Sequence, residues 1–134
     1  MRTENMGERV MIRTAIATTM ALILLAASPA AAAKKQRTEL SLSYMAEAGY
    51  AAAVILRCHP AGGAHPKKGN ACLALDKVNG DPSGFAPKPL LCTMEYAPIT
   101  AEITGNWHGA TVDWSKTFSN PCEMRRTTGV VMAF

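Results

Sequence analysis

The chain has 134 residues, with 14 Lys/Arg against 10 Asp/Glu and four cysteines, a length that fits one domain. Its net charge of +4 is spread out, apart from the pairs Lys34-Lys35, Lys67-Lys68 and Arg125-Arg126. No basic stripe with interleaved aromatics forms, which argues against nucleic acid as a partner.

The chain opens with Arg2, Arg9 and Arg13, followed by an apolar run from Ala15 to Ala27. Ser28-Pro29 breaks that run, and Ala30–Ala33 supplies small residues before Lys34. A basic region, a short apolar core and a small-residue cleavage site describe a secretory signal peptide. The apolar run is shorter than the roughly 20 residues that a membrane span needs. Residues 1–33 are therefore expected to be removed, leaving a secreted, extracellular domain over 34–134 with no membrane contact. That domain holds 11 Lys/Arg and 8 Asp/Glu, a mixed solvated surface.

Within it, Thr38–Met45 alternates apolar and small polar residues, which predicts a half-buried strand. Ala48-Gly49-Tyr50 reads as a turn, and Ala52–Cys58 as a second strand pairing back on the first. His59–His65 is a loop, given Pro60, Gly62 and Gly63. Pro66 opens a helical pattern in which Ala71, Cys72, Leu75 and Val78 share a face, with Gly80 at its stop. Asp81–Pro89 contains three prolines and reads as a loop without helix or strand. Ile99–Thr104 alternates, and Gly105-Asn106 reads as a turn. His108-Gly109 reads as another, leading into a strand through Thr111–Trp114, a hairpin signal. Ser119-Asn120-Pro121 is a helix start, with a short helix through Cys122–Arg126 and a closing edge strand over Val130–Phe134. Trp107, Trp114, Phe118 and Phe134 read as core or sheet-interface residues. The sum is α+β: about five antiparallel strands with helices on one side.

About 100 residues bury only a modest core. Four cysteines in a small exported domain read as two disulfides. Three pairings are open, and pairing between sequence neighbours, Cys58–Cys72 and Cys92–Cys122, is favoured. A structural zinc site would need close ligand pairs such as C-x2-C, whereas no two cysteines are nearer than 14 positions. His59 and His65 flank the first cysteine, but no metal or cofactor is expected.

Enzyme signatures are missing. Ser41, Ser43, Ser83, Ser115 and Ser119 lie in no G-x-S-x-G elbow. There is no P-loop, no dinucleotide-binding glycine motif and no H-E-x-x-H. The chain is not expected to be an enzyme.

One segment has a different character. Leu90–Pro98 (LLCTMEYAP) is bounded by Pro89 and Pro98 and carries Cys92. It is an apolar stretch on a proline-flanked, cysteine-anchored loop. The words CHPAGGAHP (Cys58–Pro66), LCTMEYAP (Leu91–Pro98), GNWHG (Gly105–Gly109), TFSNPCEM (Thr117–Met124) and TGVVMAF (Thr128–Phe134) resemble, in this order, the Streptomyces subtilisin inhibitor family of secreted serine protease inhibitors. The stretch from Ala71 to Asp81 fits too. Ala97 stands where that family often has aspartate, and His108 and Trp114 replace commoner residues. The resemblance implies a five-stranded antiparallel sheet with two helices packed on one face, and the same two disulfides. It also implies a homodimer and subtilisin-like proteases as partners. The reactive bond would be Met94–Glu95, in a reactive loop with Leu91, Cys92, Thr93 and Tyr96, and Asn120 would brace that loop.

Met94 as the bait residue suits the broad apolar pocket of subtilisin-type and chymotrypsin-type enzymes. It does not suit a pocket with a buried aspartate, whose charge would go unpaired. Leu91, three residues earlier, would suit a second apolar pocket. A competing reading is a non-inhibitory secreted interaction protein on the same fold, such as a transglutaminase substrate. Its acceptor side chains would be Lys34, Lys35 and Gln36.

Overall fold

The alternation of apolar and polar residues from Thr38 onward produces a sheet with one wet and one dry face. The computed structural model describes residues 37–134; the expected leader, 1–33, and the tail Lys34-Lys35-Gln36 lie outside the described residues. Strand β1 (Thr38–Ala46) pairs antiparallel with β2 (Ala51–Cys58) and with β4 (Ile99–Trp107). Strand β5 (Ala110–Phe118) pairs with β4, and the short β3 (Gly62–Gly63) with β2, giving the order β3-β2-β1-β4-β5. Among the described residues no helix is long and apolar enough to cross a membrane.

The register sets the core. Val54, Leu42, Ile103 and Trp114 form one inward row across four strands. Leu56, Leu40, Gly105 and Val112 form the next. Leu40, Leu42, Leu56 and Ile103 are fully buried. Helix α1 (Lys68–Asp76) buries Ala71, Cys72 and Leu75, and helix α2 (Pro121–Thr128) buries Met124. Both helices lie on this inner face. The disulfide Cys58–Cys72 joins the end of β2 to α1, tying helix to sheet. On the chain-entropy account it contributes about 3 kcal/mol.

The strands expected over residues 38–58 are present, and the helix expected to open at Pro66 and stop at Gly80 is present but shorter, Lys68–Asp76, with Val78 in the turn beyond it. The five-stranded sheet with two helices matches the expected fold. Three local expectations are corrected. Gly105-Asn106 is no turn: both residues continue β4, and the single turn of the hairpin is at His108-Gly109. Gly105 has φ +136°, and a Cβ there would collide with the Glu39 carbonyl oxygen of the adjacent strand. The glycine marks a close approach between strands, not a break. Gly105→Ala is therefore expected to destabilise the domain by about 1–3 kcal/mol or more, read as a lower urea midpoint.

The second correction is at the C-terminus. Val130–Phe134 is not an edge strand. Gly129 turns the chain (φ +58°) into a 3-10 turn over Gly129–Met132, which buries Val131 and Met132 in the helical layer. The apolar run fits a buried segment of either kind, and burial rather than strand pairing wins. Phe134 ends stacked on Tyr44, with ring centroids 5.3 Å apart, and its carbonyl accepts from the Tyr44 hydroxyl at 3.1 Å. The fifth strand is instead β3, inside the segment read as the loop His59–His65.

The third correction is smaller. The proline-rich stretch Asp81–Pro89 contains a 3-10 turn, Pro82–Gly84, capped by Asp81. Bonds from the Ser83 hydroxyl first, and then from the Ser83 N–H, hold the Asp81 carboxyl below its ordinary pKa. This cap is in place above the ordinary carboxyl range and is lost as pH falls through the lowered value.

Candidate functional site

The segment between the Pro82–Gly84 turn and β4 has no regular secondary structure through Leu91–Pro98, yet it is fastened at several points. Before the exposed stretch, the Lys88 N–H donates to the Arg126 carbonyl at 2.8 Å. Cys92 is disulfide-bonded to Cys122 in the first turn of α2. After the stretch, the Ala97 N–H donates to the Ser119 carbonyl at 2.8 Å, and the Pro98 carbonyl accepts from the Glu47 N–H at 3.0 Å. Pro98 is buried, and β4 begins at the next residue.

Between these anchors the side chains face water. Leu91 is 97% exposed, Met94 101% and Tyr96 80%; Thr93 and Glu95 are exposed as well. Three large apolar side chains exposed within six residues cluster in the way that marks an interaction site. Neither Met94 nor Leu91 fills the core.

Beneath the loop sits Asn120, only 4% exposed. As N-cap of α2, its Oδ1 accepts from the Glu123 N–H at 2.9 Å, satisfying one of the helix's orphan donors. Pro121 follows in the first helical turn, where a missing N–H is harmless. Because Oδ1 is committed to the helix, Nδ2 is turned toward the loop. It donates to the Thr93 carbonyl at 3.3 Å and the Glu95 carbonyl at 2.9 Å. One amide thus grips the backbone on both sides of Met94.

The structure brings Leu91–Tyr96, Asn120 and the Cys92–Cys122 disulfide together. It places Cys58–Cys72 in the sheet-to-helix layer, apart from the loop. Sequence reasoning missed the carbonyls of Ser119 and Arg126. They act through the main chain, so no side-chain signal announces them. His59 and His65, read as neighbours of the first cysteine, part company. His65 is buried, with its Nδ1 accepting from the Lys67 N–H at 3.0 Å and its Nε2 bonded to the Val131 carbonyl at 3.1 Å. His59 is exposed at the opposite end of the sheet from the loop.

This arrangement has relatives. Subtilisin inhibitor-like protein 1 of Streptomyces cacaoi is 44% identical over 87 residues, covering 61% of this chain and 78% of that protein. The subtilase-type protease inhibitor of Streptomyces fradiae is 44% identical over 85 residues. That alignment covers 61% of this chain and 60% of the relative. These relatives are named as inhibitors, which agrees with the expectation that the chain is not an enzyme. A chain from the crystal structure of Streptomyces caespitosus sermetstatin in complex with Bacillus licheniformis subtilisin superposes with a TM-score of 0.63 at 30% identity. The match covers 73% of this chain and 99% of that one. The family model described as subtilisin inhibitor-like matches residues 36–120. With fold and sequence in agreement, the chain belongs to the subtilisin inhibitor-like family.

Proposed function

We propose that the protein is a secreted serine protease inhibitor that presents Met94–Glu95 as a bait bond to subtilisin-like enzymes and, with less selectivity, to chymotrypsin-like ones. The supporting observation is the contrast at Met94: a fully exposed apolar side chain on backbone gripped from below by Asn120. A protease binds its substrate as extended backbone, with pockets for the side chains. A loop already held in place loses little entropy when bound. Met94 enters the primary pocket and Leu91 a second apolar one.

The anchors also account for slow turnover. If the bond is cut, the new carboxyl end at Met94 stays attached through Cys92–Cys122. The new amine end at Glu95 stays attached through Asn120 and the Ala97–Ser119 bond. Religation then competes with release. In the test, purified protein is mixed with subtilisin, chymotrypsin and trypsin, and residual activity is followed against molar ratio. The expected result is stoichiometric loss of subtilisin activity, weaker loss of chymotrypsin activity, unchanged trypsin, and slow cutting confined to Met94–Glu95. Rapid degradation, or full subtilisin activity at equimolar ratio, overturns the reading.

The family resemblance also supports a homodimer, which we assign to the open face of the sheet. There Ser43, Met45, Ala51, Ala53 and Thr100 line a shallow depression. Apart from Met45 and Glu102, which share this face, the side chains are small and allow a second sheet to approach to about 10 Å. Sedimentation of wild type as a dimer and of Ala53→Arg as a monomer is the expected outcome; a monomeric wild type rules the assembly out.

A further inference from the structure

We propose that His59, Asp76 and His108 form a surface site for a borderline divalent transition-metal ion of the Zn2+ class. The three residues are far apart in sequence and come from three different elements. His59 follows the last residue of β2, Asp76 ends α1, and His108 lies in the β4–β5 turn. Folding gathers them at one corner of the sheet, where one ligand atom from each lies within 4.8 Å of the others. His59 Nε2 and Asp76 Oδ1 are already 3.0 Å apart.

Ligand bonds of about 2.0–2.2 Å set edges of roughly 3.3–3.5 Å in a tetrahedral site. His108 must therefore close by at most about 1.5 Å, which rotation of exposed side chains supplies. The His59 and His108 rings stack with centroids 4.5 Å apart, and His59 also packs edge-on against the buried Trp107 at 5.4 Å. Both histidines hold left-handed backbone, φ +60° and +48°, uncommon for non-glycine residues.

Two imidazoles and one carboxylate match ions of the Zn2+ and Cu2+ type rather than Ca2+ or Mg2+, which prefer all-oxygen shells. Three protein ligands leave further positions to water, which the exposure of all three residues admits. The alternative, a plain His59–Asp76 surface pair, requires nothing of His108. Competing imidazole and thiolate donors in the chain are few. His65 is buried with both ring nitrogens engaged, and all four cysteines are in disulfides. Strand β4 runs from the reactive-loop end to this corner, a span of about 26 Å, so the bound ion leaves the loop unobstructed.

Calorimetric titration of the purified protein with ZnCl2 at pH 7.5 is the test. The expected result is 1:1 binding, reversed by EDTA, that weakens at least about tenfold in both Asp76→Asn and His108→Asn. Asparagine suits the left-handed position of His108, and both sites are exposed, so these variants fold. The His59 and His108 ring resonances should shift with Zn2+ while those of His65 stay. Inhibition of subtilisin should not change. Absence of saturable 1:1 binding, unchanged affinity in His108→Asn, or a shift of the His65 resonances overturns the proposal.

Discussion

Met94→Asp is expected to weaken inhibition of subtilisin at least about a thousandfold while leaving the fold intact. Met94 has no contact with the core to lose, since its side chain is fully exposed. Its whole energetic role falls on binding. Central anchors at interfaces cost about 2 kcal/mol or more when lost and up to about 4–8; a loss of about 4 corresponds to roughly three decades in affinity. An aspartate adds the cost of a charge buried unpaired in an apolar pocket. Inhibition constants measured beside thermal unfolding separate the two effects: the first should change and the second should not. The companion substitution Met94→Lys should confer inhibition of trypsin, whose pocket aspartate would then be paired. If neither substitution alters the inhibition profile, another bond is the bait.

Under the proposed function, removing the Cys92–Cys122 link by paired substitution to serine is expected to turn an inhibitor into a substrate. The disulfide closes a loop with a sequence separation of 30 and contributes about 3.6 kcal/mol on the chain-entropy account. Under the proposed mechanism its larger effect is local, because it would hold the acyl side of Met94 in place once the bond is cut. Cleavage at Met94–Glu95, followed by mass spectrometry, should speed up by at least about two orders of magnitude, equivalent to roughly 3 kcal/mol of lost restraint. Asn120→Asp provides a finer control. The aspartate still accepts from the Glu123 N–H and suits the N-terminus of α2, but it has no donor for the Thr93 and Glu95 carbonyls. Unfolding stability should be retained while cleavage accelerates. Unchanged cleavage in both variants would mean that loop tethering does not govern resistance.

Much of the fold could be read from local pattern. The alternation in Thr38–Met45 and the apolar spacing of Ala71, Cys72 and Leu75 were enough to locate β1 and α1. Where the reading failed, a long-range contact decided the outcome. Gly105 looks like a turn residue in isolation and becomes a strand residue because the β1 backbone passes against it. Val130–Phe134 has the composition of a strand, but Val131 and Met132 are drawn between the helices and β1, so it forms a buried 3-10 turn there. Gly62-Gly63 carries no strand propensity and pairs only because β2 offers an edge. The loop itself was legible from its prolines and its cysteine, whereas its remaining fasteners are main-chain carbonyls, invisible in side-chain language. The gathering of His59, Asp76 and His108 was equally hidden, since only the folded domain brings a strand end, a helix end and a hairpin turn to one corner.

Asn120 has one further consequence. Its amide is shared between α2 and the loop, which couples the order of the first turn of that helix to the order of Leu91–Tyr96. The Glu123 amide proton, bonded to Asn120 Oδ1, then serves as a built-in gauge of a loop it does not touch. Its hydrogen-exchange rate should follow the local opening free energy of the loop and slow when a protease clamps the segment in place. Loop mobility can be watched from inside the helix without a label on the binding surface.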